Sequence, residues 1–232
     1  MAEFAIYSTI GVRSAAEDLF LIFEKDHACR LSVTWGTAPM LVKRIENGES
    51  ADVLVLSRAG IDALAKQGKI APGSDVTLAG SGVAIAVKAG AAKPDISTTQ
   101  ALKDTLLKTK SIAYSDPAAG GASGVYFAKL LDRMGIAEQM KAKTKFPPAG
   151  GFCGELLLSG EAELAVQQKP ELMHVAGTEI VGFLPGELNM VTEFAAAIMA
   201  GSRQAETGKM LIAMLRSPEA ASLFRSKGLD PC

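Results

Sequence analysis

The chain has 232 residues, 48% of them hydrophobic and only 6% aromatic, with 24 Lys and Arg against 25 Asp and Glu for a formal charge of −1. That length and apolar content supply a sizeable core, in one domain or in two small ones. The balance of charge excludes a global basic field for nucleic acid. No stretch approaches the roughly 18 consecutive apolar residues of a membrane-spanning helix, and a single Trp gives no stacking platform for sugars.

The N-terminal "MAEFAIYSTIG" carries neither a basic n-region nor a long apolar h-region. The expectation is a cytoplasmic protein as written, or a periplasmic one whose leader has been removed. "FAIYST" is a short apolar run that turns polar at its end. It is followed by "GVRSAAEDLFLIFEKDH", with Val12, Ala16, Leu19, Phe20 and Phe23 at helical spacing. "RLSVTW" alternates like a strand and leads into "GTAPMLVKRIENG", where Pro39 suits a first helical turn and Gly48 a stop. "ADVLVLS" is a continuous apolar run, the profile of a strand buried on both faces, and "RAGIDALAKQGKI" reads as the next helix. Strand and helix alternate three times within about seventy residues, which predicts an α/β fold with a parallel sheet.

Beyond "PGSDVTLAGS" the run "GVAIAVKAG" reads as a strand, and "STTQALKDTLLKT" as a helix capped by Ser97 or Thr98. "KSIAYSDPAAGGASGVYFAKLLDRMG" repeats the strand, loop and helix. "GFCGELLLSGEAELAVQQKPEL" passes from a helix through a Gly turn to the short strand "AELAVQQ". "TEIVGFLPGEL" and "VTEFAAAIMAG" give two further strands, and "AETGKMLIAMLRS" and "PEAASLFRSKG" two closing helical pieces.

Small polar residues gather where strands hand over to helices: Ser8 and Thr9 after the first, Gly36, Thr37 and Ala38 after the second, and Ser115 through Gly124 after a later one. In open α/β sheets ligands bind at that carboxyl edge. Helix N-termini there present unpaired N–H groups and the positive end of the helix dipole, which favour anions. The ordinary alternative for each Ser or Thr is a helix cap. Neither a phosphate-binding GxxxxGK[ST] loop nor a dinucleotide fingerprint is present. Cys29, Cys153 and Cys232 stand at unrelated spacings and read as free thiols, not as a metal site or a disulfide framework. No cofactor or metal is expected.

The order "FAIYSTIGVRSAAEDLFLIFEK", "WGTAPMLVKRIENGESADVLVLS", "GVAIAVKAG", "IAYSDPAAGGASGVYFAKLLDRMGI" and "GEAELAV" resembles the molybdate-binding proteins of ABC importers across almost the whole chain. That resemblance implies a type II periplasmic-binding-protein fold: two α/β lobes joined by a hinge, closing over a ligand in the cleft between them. Lobe I would be residues 1–79 plus 192–232, and lobe II residues 80–191. The ligand would meet Ser8, Thr9, Thr37 and Ala38 on one lobe. On the other it would meet Ser123, Gly124, Phe152 and Cys153 of the "GGFCGE" turn, and Gln167 and Gln168 at the end of "AELAVQQ". The implied function is binding of a small oxygen-rich anion, with an ABC permease as partner if the protein is exported, and neither nucleic acid nor membrane insertion involved.

The chain departs from the family's pattern at three places. Gly11 stands where the molybdate binders carry a Ser. Gln167 and Gln168 stand where they carry a Tyr, and Phe152, Cys153 and Glu155 replace a plainer turn. Two amides and extra hydroxyls suit a larger ligand such as a di- or tricarboxylate. An aconitate isomerase is similar to this same family, so the second reading is a cofactor-free isomerase that moves a C=C bond by proton transfer. Glu155 and Cys153 are its candidate catalytic residues, Tyr126 a further one, and Arg13 or Arg58 would hold a carboxylate. Each also has a plain reading: Glu155 as a first-turn acid complementing a helix dipole, Cys153 as a small buried hydrophobe, Arg13 on a solvated helix face. His27 near a helix end and His174 at the surface are expected to be structural.

Overall fold

The computed structural model describes residues 4–232. The chain divides into two compact units. One runs to Gly80 and resumes at Thr192 to the C-terminus; the other is Ser81–Val191.

The first unit begins with β1 (Phe4–Thr9), a 3-10 turn (Ile10–Val12) and α1 (Arg13–His27). There follow β2 (Leu31–Gly36), α2 (Ala38–Glu46), β3 (Val53–Ser57) and α3 (Arg58–Lys66), then β4 (Val76–Lys88), which carries the chain into the second unit. There α4 (Thr99–Lys108), β5 (Ile112–Tyr114), α5 (Ala122–Arg133), α6 (Ala137–Lys141), β6 (Thr144–Lys145), α7 (Cys153–Leu158), β7 (Leu164–Gln168), α8 (Lys169–His174) and β8 (Thr178–Phe183) follow one another. β9 (Val191–Ile198) returns the chain to the first unit, which closes with α9 (Ala205–Leu215), α10 (Pro218–Ser226) and β10 (Asp230–Pro231).

In the first unit β1 lies between β2 and β3, parallel to both, and β9 runs antiparallel to β3. The apolar run of β3 explains why this sheet is covered on both sides. Val53 and Val55 enter one core with Phe20 and Phe23 of α1, and Leu54 and Leu56 enter the other with Leu41 and Ile45 of α2. A strand buried on both faces needs apolar residues at every position. On α1 the buried residues Ala16, Leu19, Phe20 and Phe23 are the expected stripe.

The second unit has β7 parallel to β5, β5 parallel to β6, and β4 antiparallel to both β7 and β8. Its two faces differ. One holds Val83, Ile85, Val87, Phe127, Leu130 and Leu131; the other holds the small residues Ala84, Ala86, Ala113 and Ala165 beneath Cys153, Leu157 and Leu172. Small residues on that face let the short helices α7 and α8 lie close to the sheet, which is what seats the polar groups described below.

Two departures from expectation have physical causes. The strand expected at "GVAIAVKAG" starts already at Val76. Its first half, rich in small residues, is held as strand by pairing of Ala79 and Gly80 with Pro231 and Asp230. Helix α8 was not expected. Six residues are too few to show a 3.6-residue period, and it is instead fixed by Pro170 in its first turn and by a reciprocal capping box between Gln168 and Glu171. Thr98, one of the two expected caps, accepts a hydrogen bond from Ala101 N–H at 3.1 Å. His27 ends α1 with its ring 4.3 Å from that of Phe23. No helix among the described residues is long and apolar enough to cross a membrane.

Candidate functional site

The carboxyl edge of the first unit's sheet brings together the residues expected there. Thr9 pairs with Gly36 across the β1–β2 ladder, so Thr9 and Thr37 are neighbours by register. Ser8, Thr9 and Thr37 are all buried. Thr37 is the N-cap of α2, accepting from Met40 N–H at 3.4 Å, and Ala38 is that helix's half-buried first residue. The Thr9 side chain makes no cap hydrogen bond to the turn that follows it. Ser8 Oγ has only a long 3.5 Å contact to the Thr9 carbonyl.

Gly11 is accounted for by Phe194 on β9. A Cβ at residue 11 would lie 2.6 and 2.7 Å from two atoms of that ring. Gly11→Ser is therefore expected to destabilise the protein by about 1–3 kcal/mol through overpacking. Pairing it with Phe194→Leu should restore part of that loss, as measured by denaturant unfolding of both variants.

The arginines expected to hold a carboxylate are engaged elsewhere. Arg13 bonds Glu17 at 2.7 Å and lies over the Trp35 ring; Arg58 pairs with Asp62 at 2.6 Å and Asp75 at 2.9 Å. Both are satisfied within the unit.

In the second unit the loop after β5 is shaped by Asp116, whose carboxylate accepts from Ala118 N–H at 2.9 Å, and by Gly120 at φ 74°. This leads to α5, whose N-cap is Gly121 and whose first turn therefore has no side-chain cap. Ser123 stands in that turn. It is 3% exposed. A hydroxyl in a turn whose N–H groups have no side-chain cap offers donors to an acceptor. Gly124 sits against the Ser115 backbone, where a Cβ would overlap the carbonyl oxygen.

The turn before α7 and the end of β7 are joined by one side chain. Gln167, fully buried, accepts at Oε1 from Cys153 N–H at 2.8 Å and donates from Nε2 to the Gly151 carbonyl at 3.2 Å. Phe152 is buried with its ring 4.5 Å from that of the exposed His174. The Cys153 thiol is buried and shares a hydrogen bond with Ser115. Burial, reinforced by the charge of Glu171, pushes its pKa up, so it stays a neutral thiol. Glu155 is exposed in the first turn of α7, outside this buried cluster. Tyr126 donates its hydroxyl to the Leu188 carbonyl at 2.9 Å.

The acid that does belong to the cluster is Glu171. It is buried, accepts from Gln168 N–H at 3.2 Å and from the Gln167 side chain, and is raised by burial to about 7 against the pull of those two bonds. Sequence reasoning passed over it. The signal available was the Gln-x-x-Glu spacing of "QKPE", a capping-box pattern with Pro in the first turn.

Two α/β units, each with buried hydroxyls at the carboxyl edge of a largely parallel sheet, define the periplasmic-binding-protein fold. The chain belongs to the bacterial extracellular solute-binding proteins, whose family model matches residues 4–230. It is 34% identical over 232 residues to an aconitate isomerase of a Pseudomonas species, covering 97% of this chain and 87% of that protein. It is 24% identical over 230 residues to the molybdate-binding protein of Escherichia coli K12, covering 97% and 88%. Among solved structures, the periplasmic molybdate-binding protein of Azotobacter vinelandii superposes with a TM-score of 0.77 at 19% identity, covering 97% of this chain and 98% of the other.

Proposed function

We propose that the protein binds one small oxygen-rich anion reversibly, a di- or tricarboxylate or a tetrahedral oxyanion. The observation that carries this reading is the first turn of α5, which has no side-chain cap and holds the buried residue Ser123. Affinity comes from hydrogen bonds donated by backbone N–H and hydroxyl groups to ligand oxygens. If the protein is exported, an ABC permease is the partner that receives the ligand.

The test is a thermal-shift screen with molybdate, tungstate, sulfate, phosphate, citrate, cis-aconitate and trans-aconitate. A ligand at a hundredfold its dissociation constant adds about 2.7 kcal/mol of stability. Ser123→Ala combined with Thr37→Ala is expected to weaken binding at least about tenfold, since each charge-assisted bond contributes roughly 1.5–3 kcal/mol. Unchanged affinity in a titration of that variant would show that these residues do not hold the ligand.

A second reading, isomerisation of a small polycarboxylic acid, is favoured by one observation: identity to the aconitate isomerase is 34%, against 24% to the molybdate binder, over the same 97% of the chain. The reaction moves a proton from one allylic carbon to the other while the double bond shifts. Its base has to titrate near the working pH. Chromatography of cis- and trans-aconitate after incubation with the protein decides it: interconversion supports the enzyme, and binding without interconversion sinks it.

A further inference from the structure

Among the described residues Glu171 is the one buried acidic or basic side chain. No cation pairs with it, and its two hydrogen bonds both come from the segment that ends β7: Gln168 N–H at 3.2 Å and the Gln167 carboxamide. That carboxamide has no freedom left, because its oxygen accepts from Cys153 N–H and its nitrogen also donates to the Gly151 carbonyl. Glu171 thus tethers, through Gln167, the turn ahead of α7 to the start of α8.

The elements packed against α8 are α7, β7 and β8, with Ala84 and Ala86 of β4 beneath Leu172. Their titratable groups are the neutral Cys153 thiol and exposed Glu155 on α7, and Glu179 on β8, which Lys93 holds at 2.7 Å. β7 brings none. On α8 itself, Lys169 lies over the Phe183 ring at 5.3 Å and His174 lies against Phe152. None of these supplies Glu171 with a counter-charge. An anion received at the first turn of α5 would lie beside Ser115, whose side chain bonds the Cys153 thiol, and would put a second negative charge near a carboxylate that no cation offsets. In a low-dielectric interior that repulsion is relieved by protonating the carboxyl.

We propose that Glu171 is a positioning residue of the anion site that holds Gln167 and Gln168 in place and takes up a proton when the anion binds. The inference rests on the anion-binding reading above. The bond that forms is Glu171 O–H, the proton comes from solvent, and the ligand leaves the site with that proton returned to solvent.

The test is isothermal titration of the full chain with sulfate, molybdate and trans-aconitate at pH 6.0 and 8.5, repeated with Glu171→Gln. Comparison of the two proteins cancels the ligand's own titration. Wild-type affinity is expected to fall at least tenfold more than that of the variant between the two pH values. Equal pH slopes would overturn the proposal while leaving anion binding intact, and no binding of any of the three probes would remove both. Should Glu171→Gln not fold, the wild type alone suffices. Titration with sulfate or molybdate at pH 7.5 in two buffers of different ionisation enthalpy reads the protons taken up. A value of roughly three quarters, the fraction of Glu171 still ionised at that pH, supports the proposal and zero overturns it. A residue that merely caps α8 would move neither the slope nor the proton count.

Discussion

Gly124→Ala is expected to destabilise the protein by about 3 kcal/mol, although the same change at an open helical position would stabilise it. In a helix interior Ala is favoured over Gly by roughly 1 kcal/mol, so the sign of the measured change tests the packing directly. The Cβ added at residue 124 would overlap the Ser115 carbonyl oxygen and come within 2.8 Å of its carbon and 3.0 Å of the Ser115 Cβ. These are not the ends of flexible side chains, so no rotamer change relieves the contact. The α5 turn has to retreat from the loop, against the packing of Phe127, Leu130 and Leu131, which are buried on the same helix. Overpacking of this kind costs about 1–3 kcal/mol, and more where backbone is the obstacle. The retreat also displaces Ser123, so ligand affinity should fall with stability. Gly121→Ala is the control: its Cβ meets nothing closer than 3.5 Å at the Ser115 side chain, and its stability should stay near wild type. A Gly124→Ala variant as stable as wild type in urea unfolding would show that α5 does not rest on the Ser115 carbonyl.

The stretch "SDPAAGGASG" shows what sequence reasoning reaches. Its run of small residues ahead of an amphipathic pattern reads as a loop that lets an anion reach backbone N–H groups at a helix start. The helix and its uncapped first turn are there, and the packing of Gly124 against Ser115 is a reason for glycine that the sequence did not show. The strand–helix alternation and the doubly buried β3 were equally legible, because both are periodic patterns within a few consecutive residues. What escaped depends on residues distant in the chain. The engagement of Arg58 with Asp75 comes from the loop after α3, and the exclusion of a side chain at Gly11 comes from Phe194, far along the sequence on β9. Glu171 escaped for a related reason. Its capping-box spacing is local, but its burial depends on Ala84, Ala86 and Ala165 letting α8 approach the sheet. The exposed first-turn acid Glu155 is as prominent in the sequence, and only the packing separates the two.

That burial predicts a pH dependence of stability whose sign is opposite to that of most acidic residues. The Glu171 carboxyl is raised from 4.5 to about 7, chiefly by loss of hydration. Between those values the folded chain holds a proton that the unfolded chain has released, so stability falls as pH rises. The contribution is present in full below about 4.5 and is lost as pH passes through about 7. A shift of this size corresponds to roughly 3 kcal/mol between pH 4.5 and 8. Glu49 works in the other direction, since hydrogen bonds from Arg44 and Tyr7 hold it at about 2 and its contribution disappears only in stronger acid. The measurement is urea unfolding of wild type and Glu171→Gln from pH 5 to 8.5. The variant keeps an acceptor for Gln168 N–H but loses the titrating group, so its stability should vary with pH by about 3 kcal/mol less than that of wild type. Wild type is expected to be the more stable protein at pH 5, with the gap narrowing or reversing above pH 7.5. Parallel curves would mean that Glu171 is ionised throughout, stabilised by its two hydrogen bonds alone. This measurement needs no ligand, so it tests the protonation of Glu171 separately from what the protein binds.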